Sequence, residues 1–526
     1  MGKDVRSFPI SFVALANKRP DICVNGEKPN SQLITIMPFK VILLRAFCFL
    51  SIIAMSLLGS NSAQAQFTLG GYSNSHYAGI HGVPNNPASA AGTHYKWDVN
   101  IAGINGAAGN TYIRFPRSIL LHPPDSLEAL KKNRDYFLDS AATGKQFAWA
   151  NADVMMPSVL YSIDELSSIA FTWRVRSMAN GGNVTTEVAN FFAQDFPNPS
   201  LVNKRYDMEI ANGSFHWWNE FGFTYARVLK DDGANVLKAG ATLKLLSGIA
   251  AGYAQIDGAT FVMHSNASGE INDGTLKIGY SEGINNWKEP NLSNYKLFGN
   301  MGVGMDLGIT YEWREQVDGL TGYDDTQWNP EADDYKLRLG LSITDLGGIS
   351  YKKMPNNTDL NLQTENINPN DLRLRNNEGW QQYYRRISTY FTPIASEEKF
   401  RMNTPAALNL MADYNINGRF FVNAGGRMAL NAGKYDPSKT YVVSYFQVTP
   451  RYDSRYVGGY LPLSVNRNGQ FDAGLGLRLG PLVIGSSTML SNLFQKNKNR
   501  LDGFLALRII PIKFGQGKLG CPATNF

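Results

Sequence analysis

From Met301 to Trp313 the chain alternates without a break. Met301, Val303, Met305, Leu307, Ile309, Tyr311 and Trp313 are large and apolar, while Gly302, Gly304, Asp306, Gly308, Thr310 and Glu312 between them are small or polar. A period of two puts the first set on one face of a strand and the second on the other. The pattern returns in Leu337, Leu339, Leu341 and Ile343 against Lys336, Arg338, Gly340 and Ser342, and in Ala473, Leu475, Leu477 and Leu479 against Asp472, Gly474, Gly476, Arg478 and Gly480. Segments 171–177, 215–225, 237–245, 406–414, 420–430 and 505–509 fit it too, with weaker runs at 95–104, 154–163, 441–448 and 456–465. About 14 such runs, each long enough for a tilted membrane crossing, predict an all-β transmembrane antiparallel barrel. A soluble sandwich or propeller also alternates, but with shorter strands as a rule. Tyr311, Trp313, Trp217 and Trp218 fall near the expected strand ends, where an interfacial aromatic girdle would sit.

The connections divide into short turns, such as Asn417-Gly418 and Asn468-Gly469, and long polar segments near 116–150, 180–212, 316–334 and 353–400. Outer-membrane barrels show this division between periplasmic turns and outer loops. Within the first long segment, Leu127, Leu130, Tyr136, Phe137 and Leu138 recur at helical spacing, which predicts a loop helix over 125–142.

The N-terminal region adds a destination. Met37 opens a run with Lys40 and Arg45, an apolar stretch from Ala46 to Leu58, and Ala63-Gln64-Ala65, the pattern of a cleaved secretory signal. Cleavage there starts the mature chain at Gln66 and leaves residues 1–36 as a dispensable leader or a mis-assigned start. Cys23 and Cys48 would go with the leader, so Cys521 would remain alone and no internal disulfide could form. No second long apolar run follows, which excludes helical spans. Aromatic content of 12% and 50 glycines suit alternating strands, and a net charge of +6 gives no case for a nucleic-acid partner.

Residues 66–93, rich in Gly, Asn, Ser and Ala around Asn85, Asn86, Pro87 and Ala88, are too polar to face lipid and precede the barrel proper, 94–526. Such a segment either folds into the lumen as a plug or stays loose in the periplasm. Asn86-Pro87-Ala88, the strand that follows from Tyr95, and Asn403-Thr404-Pro405-Ala406 leading to Asp413-Tyr414 resemble the FadL-type long-chain fatty-acid transporters and the related PorV and PorQ barrels of type IX secretion. Within that family the chain looks most like uncharacterised barrels of Bacteroidota. The resemblance implies a barrel of about 14 strands with an N-terminal hatch; it transfers no ligand pocket.

The candidates for acid–base chemistry are the six histidines, His76, His81, His94, His122, His216 and His264. Only His216 falls on the inner face of a confident strand, and it reads as polar lining rather than as a general base. His76 and His81 are five apart without a supporting ligand pattern, so neither a metal nor a cofactor is expected. Arg174, Arg176, Lys238, Lys244, Lys336, Arg338 and Arg478 would face the lumen with Asp306, Glu312 and Asp472, a mixture that favours a salt-bridged interior over an anion pore. The expected protein is a non-enzymatic outer-membrane barrel in contact with lipid. It either binds or moves a hydrophobic small molecule, or anchors secretion or surface proteins.

Overall fold

The computed structural model describes residues 69–513, apart from 94, 122–132, 140–141, 194–201, 266, 282–295, 298, 315–334, 356, 373–374, 376–377, 431–438, 455 and 467–468. The leader and signal segments, His94, His122 and the three cysteines therefore lie outside the described residues.

Fourteen passes close into one ring. In chain order they are β1 Tyr95–Asn110, β2 Lys145–Met155 with Ser158–Ser162, β3 Ser167–Thr185, β4 Arg205–Asp231, β5 Asn235–Met263, β6 Gly269–Tyr280 with Met301–Arg314, and β7 Tyr335–Lys352. The ring continues through β8 Lys399–Asn403 with Ala407–Asn415, β9 Phe420–Ala429, β10 Tyr445–Asp453, β11 Val457–Tyr460 with Leu463–Asn466, β12 Phe471–Ala473 with Leu475–Leu479, β13 Leu482–Ser486, and β14 Arg500–Lys513. Each pass pairs antiparallel with the next. β14 returns to β1, with Tyr95 opposite Lys513 and Gly109 opposite Arg500. Closure removes the free edges that hydrocarbon could not hydrate.

The faces are inverted relative to a soluble protein. Val303, Met305, Leu307 and Ile309 are exposed on the outside of β6, as are Leu243 and Leu245 of β5, Leu339 and Leu341 of β7, and Leu505, Leu507 and Ile509 of β14. The alternate residues Lys244, Asp306, Thr310, Arg338, Ser342 and Arg508 are buried inside. An apolar exterior around a charged interior is the arrangement that lipid selects. The chain is a transmembrane β-barrel of the outer-membrane type.

One rim carries the ring's two ends and the short turns near 163–167, 231–235, 415–420, 453–457 and 479–482. The opposite rim carries most of the long connections and, by the rule for such barrels, is the outer one. Segment 316–334, expected among the outer loops, instead joins β6 to β7 at the short-turn rim, where the Arg314 N–H meets the Ala234 carbonyl. The reversal at 466–470 joins β11 to β12 at the outer rim, so the turn containing Gly469 is not a periplasmic one, because β11 enters it moving away from the short-turn end.

Two passes are far longer than a membrane requires. β4 runs for 27 residues and β5 for 29, where about 10 cross the bilayer. Their outer halves, with the first part of β6, carry a shelf completed by Asp359–Asn361, Thr364–Ile367, Thr392–Ile394 and the helices α1 (Thr186–Ala193) and α2 (Trp380–Ile387). Much of the chain that polarity assigns to long loops is thus strand. The expected helix over 125–142 lies largely outside the described residues; within it, 133–135 is a turn and Phe137–Leu138 a strand on Ile113–Pro116.

Candidate functional site: a lumen filled from both ends

Residues 69–93 pack against inward side chains around the ring. Glycine, serine and asparagine keep the segment slim, and three short 3-10 turns, Leu69–Asn74, His76–His81 and Pro87–Ala90, coil it. Asn86 caps the third turn by accepting from the Ala88 N–H at 3.0 Å, while its amide donates to the Ile309 carbonyl of β6 at 3.1 Å. Pro87 and Ala88 lie on a floor of backbone. A Cβ on Gly240 would lie 2.5 Å from the Pro87 carbonyl carbon, and one on Gly308 would strike Asn86. Gly240 and Gly308 are direct cross-strand partners, so β5 and β6 together present a patch without side chains. Asn85 offers its carbonyl to Ser342 and to the Asn409 amide, at 3.3 Å for the latter.

Buried charges hold the rest of the segment. Arg508 donates to the Tyr72 hydroxyl and to the Tyr77 carbonyl, both at 2.6 Å, and pairs with Asp98 at 2.8 Å. Asp98 also accepts from the Ile80 N–H at 2.9 Å. Ser75 donates to Asp453 at 2.7 Å, and Asp453 shares Arg451 with Asp413. His81 Nε2 lies 2.8 Å from Asn100 Oδ1. The Asn100 amide is already committed to the carbonyls of Met155 and Met156, so the imidazole is the donor and the ring is held as the neutral Nε2–H tautomer. Burial, reinforced by the Arg508 charge, pushes His81 down to about 4.

A second ionic layer lies beyond the segment toward the outer rim. Asp345, at a φ of 61°, turns its backbone N–H to Asp306 at 2.6 Å, while its carboxylate meets Arg176 and Lys244 at 2.7 Å and Arg427 at 3.4 Å. Glu220 joins Arg174, Arg176 and Lys244, and Asp153 closes the group on Arg174. Arg174, Arg176, Lys244 and Arg427 thus face Asp153, Glu220, Asp306 and Asp345. Equal numbers of each sign make a cross-linked lumen, not a field that draws anions.

Above this layer an aromatic column climbs the wall. Arg176 lies 4.9 Å from the Trp218 ring, Trp218 stacks on His216 at 4.4 Å, and His216 meets Tyr351 with Nε2 3.0 Å from its hydroxyl. Tyr351 stacks on Phe400, which meets Tyr253 edge-on at 5.3 Å. Residues 439–444, between β9 and β10, press into the same space. Val442 and Val443 are buried, the latter against Trp149 and Ala107. Asn180 of β3 exchanges two 3.1 Å bonds with the backbone of Tyr441, and Thr440 donates to the Asn403 carbonyl of β8. This strap is tied to opposite walls.

The shelf encloses an apolar cavity. Met208, Ile256, Phe261, Ile271, Leu276, Leu362, Ile367, Leu372, Ile387 and Phe391 line it, with Glu270 the one ionisable carboxyl among the lining residues. Its floor is the cluster that joins β4, β5 and β6 to α2, where Tyr206 and Phe261 stack at 5.0 Å. A cavity so lined recognises shape and hydrophobicity, not charge.

The residues singled out from sequence fall in different layers. Asn85, Asn86, Pro87 and Ala88 lie against the inner faces of β5–β8, and Arg338 pairs with Asp413 at 3.2 Å while reaching the Asn74 carbonyl. Arg478 approaches Asp453 at 3.5 Å and lies 4.7 Å from the Tyr77 ring. Arg174 and Asp306 belong to the ionic layer, and His216 to the aromatic column. Two readings need correction. Lys336 is partly exposed at the short-turn rim, where it reaches the Ile416 carbonyl and the Tyr414 ring, because the register shifts at the end of β6. Trp218 is wholly buried in the lumen rather than part of a girdle, because it has the parity of His216 and Glu220 on the inner face of β4. Among the described residues, no group of three or more His, Cys, Asp or Glu is arranged to hold a metal, and His264 lies exposed beside Glu270 at 3.3 Å. Sequence reasoning missed Asp345, Glu220, Asp413, Arg451, Asp98 and Arg508. Asp98, Asp413, Arg451 and Arg508 alternate with apolar neighbours and were legible as inward; Glu220 has the parity of His216 but follows the polar Asn219, and Asp345 sits where the alternation breaks.

Among solved structures, the chain is similar to the toluene transporter TodX of P. putida, at 9% identity over 87% of this chain and 98% of that one, with a TM-score of 0.37. A deltaS2S3 mutant of the TodX monoaromatic hydrocarbon channel matches at 10% identity over 82% and 95%, with a TM-score of 0.39. The translocator domain of the autotransporter NalP from Neisseria meningitidis matches at 8% over 78% and 88%, with a TM-score of 0.26. No curated protein matches the sequence. The model of a family of unknown function, DUF5723, matches residues 87–487, from the proline of the capped turn to the end of β13, and the chain belongs to that family.

Proposed function

We propose that this outer-membrane barrel binds a hydrophobic small molecule in the shelf cavity and passes it toward the lumen. The cavity carries the reading: an apolar space at the outer rim, built on strands that extend well past the membrane. The resemblance to FadL-type transporters through Asn86-Pro87-Ala88 supports it. In this reading residues 66–93 are the plug, Ala65 ends the secretory signal, and residues 1–36 are dispensable. The ionic layer and the strap, tied to both walls, mean that passage requires one of the two fillings to move. No catalytic residue is assigned.

One observation favours a second reading. A lumen filled by two chain segments suits a barrel that anchors a secretion or surface protein, the role that closeness to the PorV and PorQ barrels would give it. Purification from native membranes in mild detergent, followed by mass spectrometry of retained lipids and proteins, separates the two. Under the first reading wild type keeps a stoichiometric apolar molecule that Phe261→Asp and Ile271→Asp lose. A stable protein partner with no retained molecule would replace that reading by the second.

A further inference from the structure

At the outer rim, where β1 and β14 close the ring, three short strands and a helix make a small separate structure. Ile113–Pro116 pairs with Phe137–Leu138 on one side and with Asn497–Lys498 on the other, beside α3 (Met489–Phe494). Asn492 of α3 binds the Arg500 carbonyl at 3.2 Å, which fixes the helix to the top of β14.

Three cations gather there. Lys498 is 5% exposed and its ammonium has no hydrogen-bond partner among the described residues. Arg117 is close enough that its charge adds to burial in pushing the Lys498 ammonium below its ordinary range. Arg117 is exposed and spends its own bonds on backbone, with its N–H on the Lys496 carbonyl and its guanidinium on the Leu493 carbonyl, both at 3.2 Å. Lys496, whose carbonyl takes the Arg117 N–H, is exposed two residues before Lys498. Asp139, just past the Phe137–Leu138 strand, is taken by Arg114. An ammonium buried beside a like charge is costly unless an anion completes it.

The apolar side of the same unit faces out. Phe494 is 86% exposed, and Met489 and Leu493 are exposed with it. Along the chain they continue into Leu501 and Leu505, which stand on the lipid-facing side of β14. Cations above an exposed apolar edge complement a lipid, with phosphate at the headgroup level and acyl chains below. A free anion would leave Phe494, Leu493 and Met489 without a role.

We propose that Lys498, Arg117 and Lys496 bind the phosphate of an outer-leaflet lipid whose acyl chains lie against Phe494, Leu493 and Leu501. The site is separate from the shelf cavity, and its test does not depend on that cavity. The full barrel, in phosphatidylcholine nanodiscs carrying either phosphatidic acid or diacylglycerol, would be titrated and its bound lipids counted by native mass spectrometry. Wild type should hold one phosphatidic acid per barrel and discriminate against diacylglycerol by roughly tenfold or more. Lys498→Met and Arg117→Gln should each remove that discrimination. Without added anionic lipid, Lys498→Met should unfold no earlier than wild type, because it relieves a buried charge; a lysine with a purely structural partner would give the opposite result. Equal retention of the two lipids, unchanged binding in both variants, or displacement of phosphatidic acid by millimolar inorganic phosphate with no loss in Phe494→Ser would overturn the proposal. So would capture of a protein in place of lipid at this edge.

Discussion

The Cβ that Gly308 lacks would collide with the side-chain oxygen of Asn86, the residue that caps the Pro87–Ala90 turn. The two lie 222 positions apart, yet each fixes what the other can be. Glycine at 308 leaves room for the capped turn, and the capped turn covers backbone that a side chain would otherwise fill. Replacing Gly308 with valine should therefore expel the 85–90 turn without opening the ring, at a cost of roughly 1–3 kcal/mol of overpacking. A cysteine at Ala88, buried in the wild-type fold, should then react with a membrane-impermeant maleimide, while the barrel keeps its heat-modifiable migration on gels. Continued protection of that cysteine would show that the turn accommodates the bulk elsewhere.

Asp345 answers three cations at once. Changing it to alanine leaves Arg176, Lys244 and Arg427 sharing the remaining carboxylates, and removal of one partner from a buried network costs roughly 3–5 kcal/mol. Urea unfolding of the barrel in detergent should report a loss of that order. Lys230→Ala, at an exposed pair with Asp232, should change little.

The His81 ring gives the inner filling a dependence on pH. The unfolded imidazole takes a proton near 6.5, as in model peptides, whereas the buried ring resists until about 4. Its folded pKa is depressed, so the stability it contributes is fully present above 6.5 and is lost as pH falls toward 4, on the order of 3 kcal/mol once protonation is complete. Maleimide labelling of a cysteine at Ala88 should rise over that interval. His81→Gln keeps a donor for Asn100 without a titrating group, and should flatten the response to whatever His76, also pushed down by burial, contributes. An unchanged profile in His81→Gln would remove the imidazole from the account.

Asn180 makes the strap's two-point attachment to β3. Its replacement by alanine strips both 3.1 Å bonds from Tyr441 and leaves that residue's backbone unpaired in a partly buried place, a cost of about 1 kcal/mol. Limited proteolysis within 431–444 should accelerate in Asn180→Ala while Asn417→Ala, at a short turn on the far rim, leaves it unchanged. Equal cleavage in the two would mean that Val442 and Val443 hold the strap by packing alone.

Much of the barrel is legible because lipid and lumen impose opposite demands on neighbouring residues. The run from Met301 to Trp313 states its faces residue by residue, and the number of such runs agrees with the ring of fourteen. The alternation loses authority where the ladder breaks: an extra residue opposite Met305–Leu307 brings Asp345 inward out of turn, and the shift at the end of β6 places Lys336 at the rim. Trp218, by contrast, keeps the parity of His216, and only its aromatic character points outward. It is silent above the membrane, where β4 and β5 keep pairing although polar residues such as Asn212, Gln255 and Asp257 interrupt the pattern, so the shelf reads as loop. The strap and the cavity were illegible for a different reason. Each is assembled from segments far apart in the chain, and neither Tyr441 nor Ile367 carries any local sign of what it will touch.

The ring's last seam joins its first pass to its final one, Tyr95 to Lys513. Every earlier pairing is between neighbours in the chain and can form as soon as both have been made. This one cannot: until β14 exists, β1 presents an open edge, and an open edge has no stable place in hydrocarbon. The wall can therefore seal only once β14 has been made, and a chain cut short before Arg500 leaves not a smaller pore but an unsealed sheet.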